Sequence, residues 1–436
     1  MIIRINNTDY DRIRKIDFAP ETDIIGKTVP VNRFVVELQT DDDIQPNTLA
    51  YFLGNNAEIY AYYWITDTIK IEKNWIKIIA QSTIVLLDRY TMPAKMYDGT
   101  DTFNDVIDEI FYPIQAIFPG MTIVSVDSSF ASTVISGYAP EQSARDRLLW
   151  VLFCARAYVK SFFNEYTEIL PVDTTETLIP AEKTFWKPEI DTIDYVTEIK
   201  LRAYTYTLTT QEPARTDKFV KIGNDVYIET SQDFSLRNST IPSQITVAEN
   251  VVTLQKNTLV NSNNANAILA DLAAYYFNRY TVSADVLNDS EYLPGEKVIV
   301  NNTENLYSGF IKKASFSFGH ATKSRIEMQA TNPIEAGETH IYYLYDDGEV
   351  SEILQVATYL FPVGYTFSIE NPYIDLYNNG VRTIYRPENE YATGTTTSGG
   401  GGLDEYCEKA IIAEDGVVEV LIVESVSESD EIVSIA

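Results

Sequence analysis

The chain has 436 residues, enough for two to four domains with cores of their own, and carries 33 Lys plus Arg against 63 Asp plus Glu, a formal charge of −30. That balance excludes a nucleic-acid-binding surface, which needs clustered cations to displace phosphate counterions. Two distant cysteines, Cys154 and Cys407, read as free thiols rather than a disulfide framework, and 30 Tyr and 19 Phe beside abundant Thr, Ile and Val favour β-structure.

The opening stretch MIIRINNTDYDRIRKIDF holds no apolar run and no cleavage site, so no secretion signal is read there. Residues 1–88 read as successive strands. Segments 33–40, 58–72 and 74–88 alternate apolar and polar positions, with turns at Asp41–Asp43, Gly54–Asn56 and Lys73–Asn74. Their regular spacing predicts a first β-barrel domain. The Asp41–Asp43 triplet lacks the further spaced oxygens that calcium needs and reads as a solvated turn.

Residues 89–190 break the pattern and predict an α/β insert. Within 98–114, Phe103, Val106, Ile107 and Ile110 recur at helical spacing behind Thr100 or Asp101 as N-cap. A strand-like stretch over 121–135 follows. The run SARDRLLWVLFCARAYVKSFFNEYTEILPV (143–172) begins as a helix after Pro140 and Glu141 and turns strand-like from about Ala157. It is too short for a transmembrane span and is flanked by charge at Arg147, Arg156 and Lys160, which leaves a buried core helix.

Residues 191–331 predict a second β-barrel domain. Segment 195–210 alternates, 219–230 is a hairpin around Gly223–Asp225, and 291–331 holds three strands. A helix is expected over 263–287, packing through Ala267, Ala270, Leu272, Ala274 and Phe277. A β-rich extension (332–393) follows, and then 394–436, a Gly-rich linker and an acidic tail with ten acids against one lysine after residue 403. Inside the tail, GVVEVLIVESV (416–426) has the composition of a strand awaiting a partner. Val417, Val418, Val420, Leu421, Ile422 and Val423 are its candidate partner contacts, with a disordered acidic tail as the alternative.

Catalytic patterns are scarce. His320 and His340 are the whole imidazole supply, and no paired metal-ligand spacing, nucleotide-binding glycine pattern or Gly-x-Ser-x-Gly elbow occurs. No catalytic, cofactor or metal residue is therefore assigned. Glu165 and Glu168 imitate the paired acids of a glycosidase, a signal with little specificity among 63 acids.

Three stretches together resemble the central hub protein of phage tail baseplates and contractile particles, the late-control-D and VgrG-type family. YWITDTIKIEKNWIKIIAQSTIVLLD (63–88) is similar to that family's close of its first barrel. GYAPEQSARDRLLWVLFCARAYVKSFFNEYTEILPV (137–172) looks like its helix-then-strand unit. AILADLAAYYFNRYTVSADVL (267–287), followed by PGEKVIVN, YSGFIKKASFSFG and SRIEMQA, resembles its helix, glycine-acid turn, G-x-I strand and closing strand. Gly295–Glu296 stands where Gly-Asp is commoner, and the linker and tail after residue 387 depart from the usual pattern.

The resemblance covers roughly residues 1–331 and implies a mainly β (α+β) fold, two similar β-barrel domains with an α/β insert between them. It also implies a homotrimer that adapts a sixfold tail tube to a threefold central spike without breaking any bond. Implied partners are the tail tube protein, the spike and other baseplate proteins, with a tape-measure protein as a further contact. The assembled particle would be made in the bacterial cytoplasm and released. Two other readings stand beside it: a distal protein of a non-contractile tail that touches the host surface, and a wall-directed hydrolase or carbohydrate-binding protein.

Overall fold

The computed structural model describes residues 2–331, apart from 54–58, 180–182, 212, 215, 242, 244–245, 289–291, 302–304 and 319–321; side chains are not described at 59–61, and beyond 331 only backbone strands are described. By internal contact the chain divides into two units, one of residues 1–300 and 307–332 and one of 301–306 and 333–436.

The first unit is built on one antiparallel path of eleven strands. It runs from Glu189–Thr192 through Tyr280–Leu287, Lys323–Ala330 and Asn305–Ser317 to Ile13–Phe18, and on through Arg33–Gln39, Trp75–Ser82, Ile59–Glu72, Leu49–Leu53 and Ile2–Ile5 to Thr8–Tyr10. The β segments expected as two separate barrels are thus joined edge to edge. Phe18 lies opposite Phe316, Thr22 N–H donates to the Lys312 carbonyl (2.9 Å), and Ala314 N–H donates to the Pro20 carbonyl (3.0 Å). Alternation places Phe34, Val36 and Leu38 on the same side as Val282, Val286, Ile326 and Met328, and all seven are buried in one shared core. Phe18 sits at the join, its ring 5.9 Å from Phe34 and 5.6 Å from Phe316.

The insert supplies a second core. Helix α1, Phe103–Ile117, starts one or two residues later than the expected caps Asp101 and Thr100 would place it: Thr102 is the N-cap, its hydroxyl accepting from Asp105 N–H while the Asp105 carboxylate accepts from Thr102 N–H, a reciprocal cap. Helix α2, Ala144–Ala155, is capped by Ser143 and ends at Arg156 in the left-handed region. The strand expected from Ala157 follows immediately as Ala157–Lys160. Helix α3, Ala265–Tyr276, lies against the sheet that contains Glu198–Thr209. Ile107, Ile110, Leu148, Val151, Ile199, Leu201, Leu269 and Leu272 are fully buried together, each worth about 1.5–3 kcal/mol of burial.

Three expectations need correction. The strand 74–88 stops at Ser82, and Thr83–Arg89 forms a 3-10 helix, because Thr83, Ile84, Leu86 and Leu87 bury at three-residue spacing instead of alternating. The helix 263–287 ends at Tyr276, and Tyr280–Leu287 is a strand: from Tyr280 the period changes to two, with Val282, Ala284 and Val286 buried. The core-facing stripe of α3 is Ala265, Ile268, Leu269 and Leu272, whereas Ala270 and Ala274 face solvent.

A four-stranded sheet, ordered Lys218–Ile222, Asp225–Arg237, Glu198–Thr209 and Val251–Leu254, leaves the second core as a long arm. Its proximal residues Ile199, Leu201 and Ala203 are buried, while Thr205, Thr207 and Leu208 farther along are exposed. The hairpin expected at Gly223–Asp225 forms its tip, with Ile222 opposite Asp225.

The second unit contains a five-stranded sheet ordered Cys407–Ile412, Val417–Val423, Glu349–Pro362, Thr339–Asp346 and Glu431–Val433, and a small sheet of Phe367–Ser368, Ile374–Leu376 and Arg382–Ile384. The expected boundary between an extension and an acidic tail therefore runs through a sheet whose strands come from both sides of it. The β-branched, aliphatic runs at 410–412 and 417–423 account for strands where net charge alone suggested none. The glycine-rich segment 394–402 and His320 lie outside the described residues.

Candidate functional site

The candidate contacts Val417, Val418, Val420, Leu421, Ile422 and Val423 fall on one strand, as expected, but its edges are not waiting for a partner. Val356–Pro362 pairs along one side, with Val356 opposite Val423 and Pro362 opposite Val417, and Cys407–Ile412 pairs along the other. Both edges are satisfied within the same chain, so a further strand joins this sheet only at its outer members.

Glu165 and Glu168 differ in surroundings. Glu165 is exposed in the turn before Thr167–Pro171, and Glu168, within that strand, faces Lys160 at 3.6 Å. In the Asp41–Asp43 turn, the Asp42 carboxylate accepts the Tyr10 hydroxyl (2.9 Å). Among the described residues no group of three or more His, Cys, Asp or Glu side chains is placed to hold a metal ion. Cys154 is buried, and that burial pushes its thiol pKa well up, away from reactivity.

Two surfaces of the first unit have the chemistry of contact. The first is a groove of about 830 Å³ between the loop 21–30, the end of α3 and the strands Asn305–Ser317 and Lys323–Ala330. Its floor is locked. Asp23 accepts from the backbone N–H groups of Ile25, Lys27 and Thr28 at 2.8–3.1 Å, and Gly26, at φ +64°, presses its backbone against Phe153 where a Cβ would come within 3.1 Å. The Gln329 amide donates to the carbonyls of Tyr275 and Asn278, both at 3.2 Å, and so fixes the end of α3. Two cations lie over aromatic faces: Lys27 at 5.0 Å from the Tyr276 ring and Lys312 at 5.3 Å from the Tyr275 ring. Burial lowers the Lys312 pKa against the pull of Asp23 and Glu327. The result is a rigid, mixed-charge cleft.

The second kind is apolar and consists of exposed side chains on the arm and beside the end of the main sheet. Phe219 on the arm is 52% exposed and Leu208 56%, while Trp186 near the other end of the main sheet is 75% exposed. Sequence periodicity located these strands but not which of their apolar residues lack a covering layer, since that depends on where the arm leaves the core.

Two glycines of the resembling motif have clear steric reasons. A Cβ on Gly309 would lie 2.3 Å from the Gln329 carbonyl oxygen, so only glycine lets these strands pair there. Gly295, at φ +99°, turns the chain beneath the Tyr158 ring, where a Cβ would sit 2.5 Å from the ring. The neighbouring Glu296 carboxylate then accepts from Leu293 N–H at 2.9 Å and closes the turn.

No family model matches the sequence, and no curated protein does. Among solved structures, the chain is similar to the tail protein from Neisseria meningitidis MC58, at 10% identity and a TM-score of 0.55, over 76% of this chain and 96% of that one. It is likewise similar to the 43 kDa tail protein of prophage MuSo2 from Shewanella oneidensis, at 10% identity and a TM-score of 0.50, over 75% of this chain and 97% of that one. Over about three-quarters of its length, this chain has the fold of those tail proteins.

Proposed function

We propose that this chain is a structural subunit of a phage tail or tail-like particle, and specifically the central hub of its baseplate. The observation that carries the reading is the extent of the shared fold, which takes in nearly the whole of two tail proteins. In this role three copies form a ring that joins a sixfold tail tube to a threefold spike, and the chain works by bearing load between other proteins. Its partners are then the tube protein, the spike and the remaining baseplate proteins, within a particle assembled in the bacterial cytoplasm and later released. The strand Val417–Val423 belongs to the surface that meets a neighbouring spike or hub subunit, through the sheet that contains it rather than as a lone added strand.

The chain breaks no bond in this role. Glu168 is held by Lys160, and Glu165 stands in an exposed turn rather than in a cleft that could hold a sugar between the two. Imaging purified particles that carry a tag on this chain tests the assignment. Three copies ringing the end of the tube are expected. One copy per tail, or a position out on a host-binding fibre, would overturn the hub reading. Cleavage of peptidoglycan by the purified chain, lost in Glu165→Gln or Glu168→Gln, would overturn the non-catalytic part.

A further inference from the structure

A closed ring of identical subunits needs two different complementary patches on each copy, because its interfaces are head-to-tail. The first unit ends its two largest sheets in strand edges of opposite charge. Lys218–Ile222, sequence KFVKI, is the outermost strand of the arm, with Lys218, Phe219 and Lys221 exposed. Glu189–Thr192, sequence EIDT, is the outermost strand of the eleven-strand path; Asp191 and the following Asp194 are exposed, while Glu189 is already paired with Arg325. Among the described residues no strand pairs with the outer side of either.

We infer that copies of this chain join head to tail by adding the basic arm edge of one, Lys218–Ile222, to the acidic sheet edge of the next, Glu189–Thr192. The inference rests on the hub reading for its ring but names a joint that the reading does not supply. Every second backbone N–H and C=O of an edge strand points outward, and pairing satisfies them in both chains at once. One antiparallel register sets Phe219 against Ile190 and Lys218 against Asp191, an apolar pair beside an ion pair on adjacent rows. The acidic edge is flanked by exposed apolar groups, Phe185 and Trp186 before it and Ile193 after it, and the basic edge brings Phe219. Each side therefore presents apolar surface that the other would cover. Lys218 and Lys221 draw the arm edge toward the exposed carboxylates Asp191 and Asp194, and the apolar pair sets the register.

The joint is tested on the purified full-length chain by sedimentation and by crosslinking. Lys218→Glu and Asp191→Lys are each expected to weaken self-association about tenfold, and the double exchange to restore it. Mixing the two single variants satisfies both joints between unlike chains, one native and one with the charges exchanged, so mixed assemblies are expected to form where neither variant associates alone. Phe219→Cys combined with Ile190→Cys is expected to crosslink between chains on oxidation, whereas each single cysteine variant is not. All four positions are partly or wholly exposed, and near-ultraviolet circular dichroism confirms that the variants keep their packing.

Association that ignores both charge reversals would overturn the inference and reduce Lys218 and Lys221 to guards that keep an edge unpaired. A purified chain that neither associates nor crosslinks at any concentration would overturn it too. Both outcomes leave the hub reading standing, because that reading is decided by the position and copy number of the chain in the particle.

Discussion

Arg147 and Arg145 lie two positions apart on α2 and differ in everything that sets the cost of losing them. Arg147 is fully buried and donates to the Tyr97 hydroxyl at 3.0 Å and to the carbonyls of Pro93 and Pro140, both at 2.9 Å. Arg145 pairs with Asp88 at the surface. Arg147→Met should therefore cost about 2–4 kcal/mol, since three acceptors stay buried without donors. Arg145→Met should cost under about 1 kcal/mol. Denaturant titration of the two variants checks the contrast. Arg147 was legible in principle, because it shares a helical stripe with Ala144, Leu148 and Val151, yet charge alone marks it as a flanking surface residue. Glu296 adds a dependence on pH. Burial raises its pKa, opposed by the Leu293 N–H and by Lys160. An acid whose pKa is higher folded than unfolded costs stability as pH rises through that interval, and costs nothing below the unfolded value, where both states are protonated. Glu296→Gln, whose amide oxygen still accepts from Leu293, should raise the melting temperature at neutral pH. The gain should shrink to nothing as pH falls below the ordinary carboxylate range. A gain that grew on acidification would contradict the burial argument.

Among the elements, α1 shows how local chemistry fixes a boundary. Thr102 and Asp105 satisfy each other's backbone N–H groups, and Phe103 begins the buried stripe at the next residue. Thr102→Ala should cost about 1 kcal/mol, whereas Thr100→Ala, outside the helix, should cost much less; melting curves of the two distinguish them. The stripe Phe103, Val106, Ile107 and Ile110 was readable because it has one period and one face. The junction at Tyr276–Tyr280 was not, because small alanines and tyrosines fit either element and only the partner strand Lys323–Ala330 decides. Val417–Val423 teaches the same lesson from the other side. Its β-forming residues announced a strand, but its partners, Glu349–Pro362 and Cys407–Ile412, cannot be read from the segment itself.

At the scale of the whole molecule, the alternating strands at both ends of the first unit were visible in sequence, and their union was not. Nothing local in Ile13–Phe18 points to residues near 316; the pairing is set by which apolar faces can close one core. That union has a consequence for synthesis. A ribosome adding about 5–20 residues per second reaches Phe316 roughly 15–60 s after Phe18. Throughout that interval the strand Ile13–Phe18 lacks the one pairing on its outer side, Phe18 with Phe316, that joins it to the rest of the sheet. Its exposed Arg14, Lys15 and Asp17 are then gatekeepers against stray pairing in a crowded polysome. A chain terminated at residue 300 keeps that vulnerability permanently, and it should collect in the insoluble fraction while the full-length product stays in solution. Messages cut short near their end would thus yield aggregates instead of defective subunits, and a strand made first but completed last would act as a check on the finished length of the protein.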